Sequence, residues 1–425
     1  MAEVIILDEK VLSGTAKDLK IAQTGQHDKE KKNENFKKKF SFSLIVNNFH
    51  PAWFGVTLSW GSFALVVDNI PLNRPGNDDG MKDTLRILAL IIWGWNSLYF
   101  LLFILIMALN YKNVLQIFNH PKKLYFLGTF GLSTAIWIAS VAELCEVGLA
   151  SFILWWISLF IAIFIYLSTT FRVILDPNKH LKNLLSEMEG YMILPCLPLV
   201  TNAVAGTFIL PQQENDNVKI TIIITSYIIL GMEAFIAFIF LSNKMTRLVQ
   251  NGYSQNFAHT IWICVAPVAL TASVIMKLAT LAQEIPKKSW VSAAGDENSA
   301  EILLNYAKFA VSSSFFIGLN IFGAALFFAM LSSAVSIAYI YKVGIRNLKL
   351  NLTYWTIIFP LTTLTLTSFT LTSYTNFLFF YITSWILALI ETVLVLVIHV
   401  ATIYQVFFNA DEWWHSFQEV KMISS

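Results

Sequence analysis

Threonine is concentrated in one hydrophobic stretch near the carboxyl terminus, between Leu352 and Tyr374. At helical spacing, one face of that stretch carries Thr356, Phe359, Thr363, Thr367 and Thr370. Hydroxyl groups donate hydrogen bonds without a fixed charge, which suits a path for a partly dehydrated anion. The alternative is that the threonines bond to carbonyls of their own helix and that the phenylalanine ring only packs. We favour a pore-lining face because Pro360 interrupts the same helix beside the ring.

Ionisable side chains inside hydrophobic stretches are costly in lipid and are therefore candidates for function. Glu233 lies in the middle of one such stretch, and Glu391 and His399 share a helical face of the last one. If they face a water-filled cavity, these groups can take up a proton and couple it to anion movement. The alternative, which we favour, is hydrogen bonding between helices by a protonated glutamate, because these stretches contain no proline.

Three lysines are placed to attract an anion. Lys277 lies ten residues after Pro267 in the same stretch, and Lys287 and Lys288 follow just beyond it. Ammonium groups at an outer mouth would concentrate anions there. The alternative for Lys277 is that its side chain extends to the membrane interface. Three acidic residues stand near the ends of other stretches, where we expect them to be interfacial: Asp68, Glu143 and Glu146.

The elements that must position these side chains are ten hydrophobic stretches, each long enough to cross a bilayer. Their approximate bounds are 49–70, 85–109, 124–143, 147–173, 191–210, 220–241, 257–281, 307–341, 352–374 and 377–407. Prolines fall on the odd-numbered stretches, at Pro51, Pro195, Pro198, Pro267 and Pro360. The third stretch has no proline but carries Gly128 and Gly131.

Proline kinks a helix, and in lipid the freed carbonyls must be satisfied by protein or by water in a cavity. Broken helices that alternate with continuous ones predict an all-α polytopic membrane protein. Its ten transmembrane helices would form five helical hairpins around a central pore, with the kinked helices inside.

The composition supports a membrane protein. Hydrophobic residues make up 56 % of the chain and charged residues 13 %, against about 25 % charged residues in soluble domains. We expect a disordered basic cytoplasmic tail at 1–45, a transporter domain at 46–408 and a short cytoplasmic tail at 409–425. No cleavable signal peptide is visible, and the excess of lysine and arginine in alternate loops places both termini in the cytoplasm, most simply at the plasma membrane.

Signals of soluble enzymes are absent from the sequence. There is no phosphate-binding glycine-rich loop, no nucleophile elbow, no His-Glu-x-x-His and no cluster of His or Cys suited to zinc. We therefore expect no catalytic residues, no cofactor and no metal. The net charge of +2 is too small to indicate a nucleic-acid partner.

The motifs of the odd-numbered stretches resemble the tellurite-resistance/dicarboxylate transporter family. That family includes fungal malic acid transport proteins, fungal sulfite efflux pumps and plant slow anion channels. The matching motifs are Pro51-Ala-Trp-Phe-Gly55, His120-Pro-Lys-Lys-Leu-Tyr-Phe126, Leu194-Pro-Cys-Leu-Pro198, Ala266-Pro267 and Trp355 followed by Phe359-Pro360. The resemblance covers residues 48 to 408. It implies a ten-helix fold around a central pore, commonly trimeric, with Phe359 as the ring that occludes the pore.

The sequence of the third stretch resembles that of the malic acid transport proteins more than that of the sulfite pumps, although Phe130-Gly131 stands where several members have a proline. The predicted function is transport of malate or other C4-dicarboxylates, coupled to protons, by a homotrimer in a lipid bilayer. The alternatives within the family are sulfite efflux and an uncoupled anion channel. A membrane enzyme or receptor would need a catalytic cluster or a large extracellular region, and the sequence shows neither.

Overall fold

The computed structural model describes Val46 and residues 49–72, 79–120, 123–175, 189–253, 255–344, 352–375 and 377–408. The chain divides into two compact units. One is Phe49–Thr402, and the other joins residues 1–48 to 403–425, of which Val46 and 403–408 are described and are helical. The predicted tails at 1–45 and 409–425 lie outside the described residues.

The described residues form helices and contain no strand, so the predicted all-α class is confirmed. We number the long helices α1 (Phe54–Asp68), α2 (Asp79–Leu109), α3 (Leu127–Cys145), α4 (Gly148–Leu175), α5 (Leu197–Ile209), α6 (Asp216–Asn251), α7 (Val265–Gln283), α8 (Glu297–Val343), α9 (Trp355–Thr375) and α10 (Leu378–Phe408). Two short helices, Tyr111–Phe118 and Lys287–Ala294, carry no number. Among the described residues, eight helices are long and apolar enough to cross a membrane. Because α1 and α5 have only 15 and 13 residues, ten spans stay a prediction.

Burial separates the helices into two sets. The spans that contain α3, α7 and α9 are 89 %, 78 % and 83 % buried, whereas those of α2, α4, α6, α8 and α10 are between 22 % and 39 % buried. Every residue of α5 and nearly every residue of α1 is buried as well. The odd-numbered helices are therefore the central helices and the even-numbered ones the peripheral helices, as the proline pattern predicts.

The central helices contact one another in a closed order, α1–α3–α5–α7–α9 and back to α1. Peripheral helices pack on the central helix that precedes them: α2 on α1, α4 on α3, α6 on α5 and α8 on α7. Large apolar side chains on the peripheral helices, such as Leu98, Phe160 and Phe235, are 64 % to 68 % exposed. Such a surface is expected to face lipid.

Each central helix begins with a short 3₁₀ segment, which we call its lead-in. The lead-ins are Pro51–Trp53, Lys123–Phe126, Gly190–Ile193, Gln255–Cys264 and Leu352–Tyr354. Within the described chain, Pro360 lies inside a central helix, but Pro195, Pro198 and Pro267 stand in the turn before a helix or in its first turn. These three prolines, which we expected to kink the middle of a helix, thus stand at helix starts. The physical reason is that the first turn needs no N–H donor, so proline is tolerated there.

The two glycines of α3 allow close approach to the start of α5. A Cβ added at Gly128 would lie 2.2 Å from the carbonyl oxygen of Leu194, and one added at Gly131 would lie 3.0 Å from the Cγ of Pro198. No other side chain fits at Gly128 without moving backbone. These glycines therefore hold α3 against the turn that precedes α5.

Candidate functional site along the central helices

One cavity lies where the amino ends of all five central helices meet. It is small, with about 30 Å³ of space for the centres of water molecules, and it is partly open to solvent. Its lining consists of residues from each lead-in or the turn after it, with the first turns of α1, α3 and α9: Ala52, Gly55, Leu58, Phe126, Thr129, Leu194, Ile263, Leu352, Trp355, Thr356, Phe359 and Pro360. The five lead-ins thus converge on a single space.

The cavity wall is mainly apolar and aromatic. Its hydroxyl groups come from Thr129 and Thr356. The Thr129 hydroxyl is within 2.7 Å of the Pro51 carbonyl and 2.6 Å of the Phe126 carbonyl, so its hydrogen is donated to backbone. Phe359 lies in the wall with 4 % of its surface exposed, next to Thr356 and Pro360. An apolar constriction of this kind opposes passage of a hydrated ion.

The remaining threonines of the predicted face are buried along α9. Thr363 donates to the Pro360 carbonyl at 2.7 Å. Thr367 donates to the Ala269 carbonyl of α7 at 2.8 Å or to its own helix, and the Thr370 hydroxyl lies 3.1 Å from that of Ser273. The structure brings Thr356 and Phe359 together at the cavity, and it gives Thr363, Thr367 and Thr370 backbone acceptors.

The polar residues of α10 point at the central helices. Thr362 donates to Oε1 of Glu391 at 2.6 Å, and Ser62 of α1 donates to Thr362 at 3.3 Å. Trp60 of α1 donates to Nδ1 of His399 at 3.3 Å. Sequence reasoning missed Ser62, Thr362 and Trp60 as partners, because none of them stands out without knowledge of which helices are neighbours. Glu391 therefore contacts α9 through the residue three positions beyond Phe359.

Glu233 lies apart from this group. It is fully buried on α6, and neither carboxylate oxygen has a hydrogen-bond partner among the described residues. It interacts electrostatically with Cys196, in the turn before α5. A charged carboxylate without partners is costly in such surroundings. Glu233 does not line the cavity.

The three predicted anion-attracting lysines do not form one group. Lys277 lies on α7 with its Nζ 4.3 Å from the centroid of the Phe208 ring. Lys287 and Lys288 are exposed on the short helix that follows, where Lys287 pairs with Glu297 at 3.2 Å and Glu301 at 4.0 Å. Those carboxylates offset its attraction for anions.

Two ion-pair groups were not anticipated from the sequence. At the amino ends, Glu189 is buried between Lys244 at 3.2 Å and Arg247 at 3.0 Å. At the carboxyl ends of α1 and α3, Arg86 lies 3.8 Å from Asp68 and 2.6 Å from Glu146, and it donates to the carbonyls of Glu143 and Leu144. Loop charges give no signal of such pairing, because the partners are far apart in the chain.

Comparison with known proteins identifies the family. Curated relatives include the sulfite efflux pump SSU1 of Arthroderma benhamiae, 26 % identical over 235 residues, and that of Trichophyton rubrum, 25 % identical over 235 residues. Each match covers 53 % of this chain and 59 % of the relative, so the chain spans little more than half the length of these relatives. The SSU1 of Arthroderma otae is 25 % identical over 215 residues, 48 % of this chain and 54 % of the relative.

The family model described as voltage-dependent anion channel, SLAC1, matches residues 48–403. That range contains all five central helices, the cavity and Phe359. The relationship predicted from the motifs is confirmed. This chain is a member of the SLAC1 family of voltage-dependent anion channels.

Proposed function

We propose that the chain transports a small anion along the axis enclosed by the five central helices. The observation that carries this proposal is the single cavity at which the amino ends of all five meet, with Phe359 in its wall. Sulfite is the first substrate candidate, because the curated relatives are sulfite efflux pumps. The order and content of the motifs support the same class of activity.

Phe359 acts as the occluding ring. Proline at position 360 cannot donate the helical hydrogen bond to the Thr356 carbonyl, which loosens α9 beside the ring. The ring therefore turns aside with less resistance than a phenylalanine in an uninterrupted helix. Beyond it, an anion passes Thr363, Thr367 and Thr370, whose hydroxyls exchange a backbone acceptor for the anion.

Malate and related C4-dicarboxylates are the second candidate, because the sequence of the third hydrophobic stretch resembles that of the malic acid transport proteins. The charge of the central helices argues for hydrogen sulfite, the singly charged form of sulfite, since Lys277 is the one basic residue within the ranges of α1, α3, α5, α7 and α9. A single ammonium group matches one negative charge better than the two of a dicarboxylate.

Proton coupling acts through Glu391 in this proposal. Its carboxylate accepts a hydrogen bond from Thr362, so a change in its protonation alters a contact three residues from Phe359. His399 and Glu233 are the other candidates for coupling. His399 lies farther from Phe359 along the chain than Glu391 does and accepts a hydrogen bond from Trp60 of α1, and Glu233 of α6 interacts with Cys196.

We further propose a homotrimer in the plasma membrane with both termini in the cytoplasm, on the resemblance to the family and on the loop charges.

The test is transport in cells that lack their own carriers, with sulfite efflux and malate uptake measured at acidic and neutral external pH. Phe359→Ala should raise flux and broaden the range of anions carried, because the apolar barrier is removed. Phe369→Ala is the matched control: Phe369 is also a buried phenylalanine of α9 but does not line the cavity. Equal flux in wild type and Phe359→Ala, at equal amounts of protein in the membrane, would refute the gate.

A further inference from the structure

The carboxyl ends of the central helices carry a charged group that the proposed path does not yet use. Its members, called here the carboxyl-end cluster, are Asp68, Arg86, Glu143, Glu146 and Lys277. Arg86 joins Asp68 and Glu146 and caps the last carbonyls of α3, so its hydrogen bonds are committed to the ends of α1 and α3. Lys277 is the other cation of the cluster.

Lys277 lacks a close carboxylate. Among the described residues none lies within 4.0 Å of its Nζ, and the ammonium group stands over the Phe208 ring of α5. A cation–π contact of this kind contributes about 0.5–2 kcal/mol, less than the cost of a charged group in a membrane interior. The site therefore has an ammonium group that is stabilised only in part.

Glu143 is the acidic residue that interacts electrostatically with Lys277. The two belong to α3 and α7, which are separated in the ring by α5, and Phe208 of α5 lies under the ammonium. Around Glu143 stand Asn69 and the charged groups of Asp68, Arg86 and Lys277. Lys82 acts on the cluster through Asp68. Glu143 and Lys277 thus belong to one electrostatic group near the carboxyl ends of α3 and α7.

The balance of charge decides what this site can bind. When the cluster is fully ionised, three carboxylates face two cations, and an approaching anion is repelled by Glu143 while it is attracted by Lys277. Protonation of Glu143 removes that repulsion and the competing partner of Lys277 at once. The groups of α1 and α2 change little, because Arg86 already pairs with Asp68 and Glu146.

We propose that Lys277 is the anion-binding residue at the carboxyl end of the path, and that Glu143 competes with the anion for it. Protonation of Glu143 then admits a singly charged oxyanion such as hydrogen sulfite. This inference rests on the proposed anion transport and adds a binding residue and a pH-dependent competitor to it. It makes flux rise in acid on the side of the carboxyl ends, in addition to the proton coupling proposed at Glu391.

The experiment measures sulfite flux by the full chain as a function of pH, with wild type, Glu143→Gln, Lys277→Met and the double variant. Glu143→Gln should raise flux at neutral pH by about tenfold, as expected for loss of a like charge near a bound anion, and should weaken the activation by acid on the side of the carboxyl ends. Lys277→Met should lower flux by about tenfold, and the double variant should resemble Lys277→Met because the two residues act on one site. Glu284→Gln is the control, since Glu284 is an exposed acidic residue at the carboxyl end of α7 and is not a member of the cluster.

Each outcome separates the two proposals. If wild type transports sulfite but Glu143→Gln matches it at every pH, the competition is refuted and the transport proposal stands. If Lys277→Met, present in the membrane at the wild-type level, carries sulfite as well as wild type does, Lys277 is not the binding residue. If wild type carries no sulfite, malate or chloride, the proposed function fails and this inference fails with it.

Discussion

Individual hydroxyls and glycines on the central helices make contacts that their residue types alone do not predict. The spacing of the threonines of α9 predicts a polar stripe that lines a pore. In the structure, Thr363 donates to the carbonyl of Pro360, and Thr367 donates to the Ala269 carbonyl of α7. A hydroxyl has one hydrogen to donate. The Thr367 hydroxyl therefore links α9 to α7, whereas the Thr363 hydroxyl bonds within α9. In the proposed function, either group serves an anion only by giving up its backbone acceptor.

Gly128 is the residue at which a small change should have the largest structural effect. Gly128→Ala places a Cβ 2.2 Å from the Leu194 carbonyl oxygen, so backbone must move. We expect a loss of about 1–3 kcal/mol in the free energy of unfolding, the usual cost of overpacking. The apparent melting temperature of the purified protein in detergent measures it. Gly94→Ala is the control, since nothing lies within 4 Å of its added Cβ, and an equal loss in both variants would contradict the close approach.

At the level of elements, the lead-ins form the end of the molecule that encloses the cavity. They contact one another in order: Lys123–Phe126 with Gly190–Ile193, that segment with Gln255–Cys264, and the last with Leu352–Tyr354, which meets Pro51–Trp53. A 3₁₀ segment is tighter than an α-helix, and the lead-ins run from the three residues of Pro51–Trp53 to the ten of Gln255–Cys264. The lead-ins therefore let five helices converge before each widens into its α-helical part.

The lead-in of α5 is tied to α6 by a buried ion-pair group. Glu189→Gln removes the carboxylate between Lys244 and Arg247, whose distances to it are 3.2 and 3.0 Å. We expect a cost of about 3–5 kcal/mol, because breaking a buried pair leaves charge uncompensated. Thermal unfolding in detergent is again the measurement. Glu297→Gln, which breaks the exposed pair with Lys287, should leave the melting temperature unchanged; an equal effect of both would show that Glu189 is not stabilising.

For the whole molecule, the ring of central helices gives the path two unlike ends. The amino ends enclose an apolar cavity with Phe359 in its wall, and the carboxyl ends carry the charged cluster around Lys277. An anion would lose its water at the first and meet a charged partner at the second. This difference between the ends makes the orientation in the membrane decisive for the direction of transport.

The orientation can be measured by thiol labelling. In a chain whose three native cysteines are replaced by serine, Thr356→Cys should react with a membrane-impermeant reagent added to the cytoplasmic face. Glu146→Cys, at the opposite end of the central helices, should react from outside. These results are expected because the loop charges place the amino ends of the central helices in the cytoplasm. Labelling of the two positions from the reverse sides would show that the chain is inserted the other way round.

The folded chain differs from the sequence-based predictions at several residues. Pro195, Pro198 and Pro267 stand at helix starts, and Lys287, predicted to attract anions, has the carboxylates of Glu297 and Glu301 beside it. A proline in a sequence marks a missing donor, but whether that donor belongs to a first turn or a middle turn depends on where the helix begins. That point is set by packing against neighbouring elements.

The sequence by itself determined the helices, their approximate bounds, the alternation of central and peripheral helices and the family. These properties are local, since a run of apolar residues or a proline acts within one or two turns. The tertiary structure alone decided that five amino ends share one cavity, that Glu391 contacts Thr362 and that Lys277 stands over Phe208 with Glu143 as its acidic neighbour. Those contacts join residues far apart in the chain, and only the packing of whole helices brings them together.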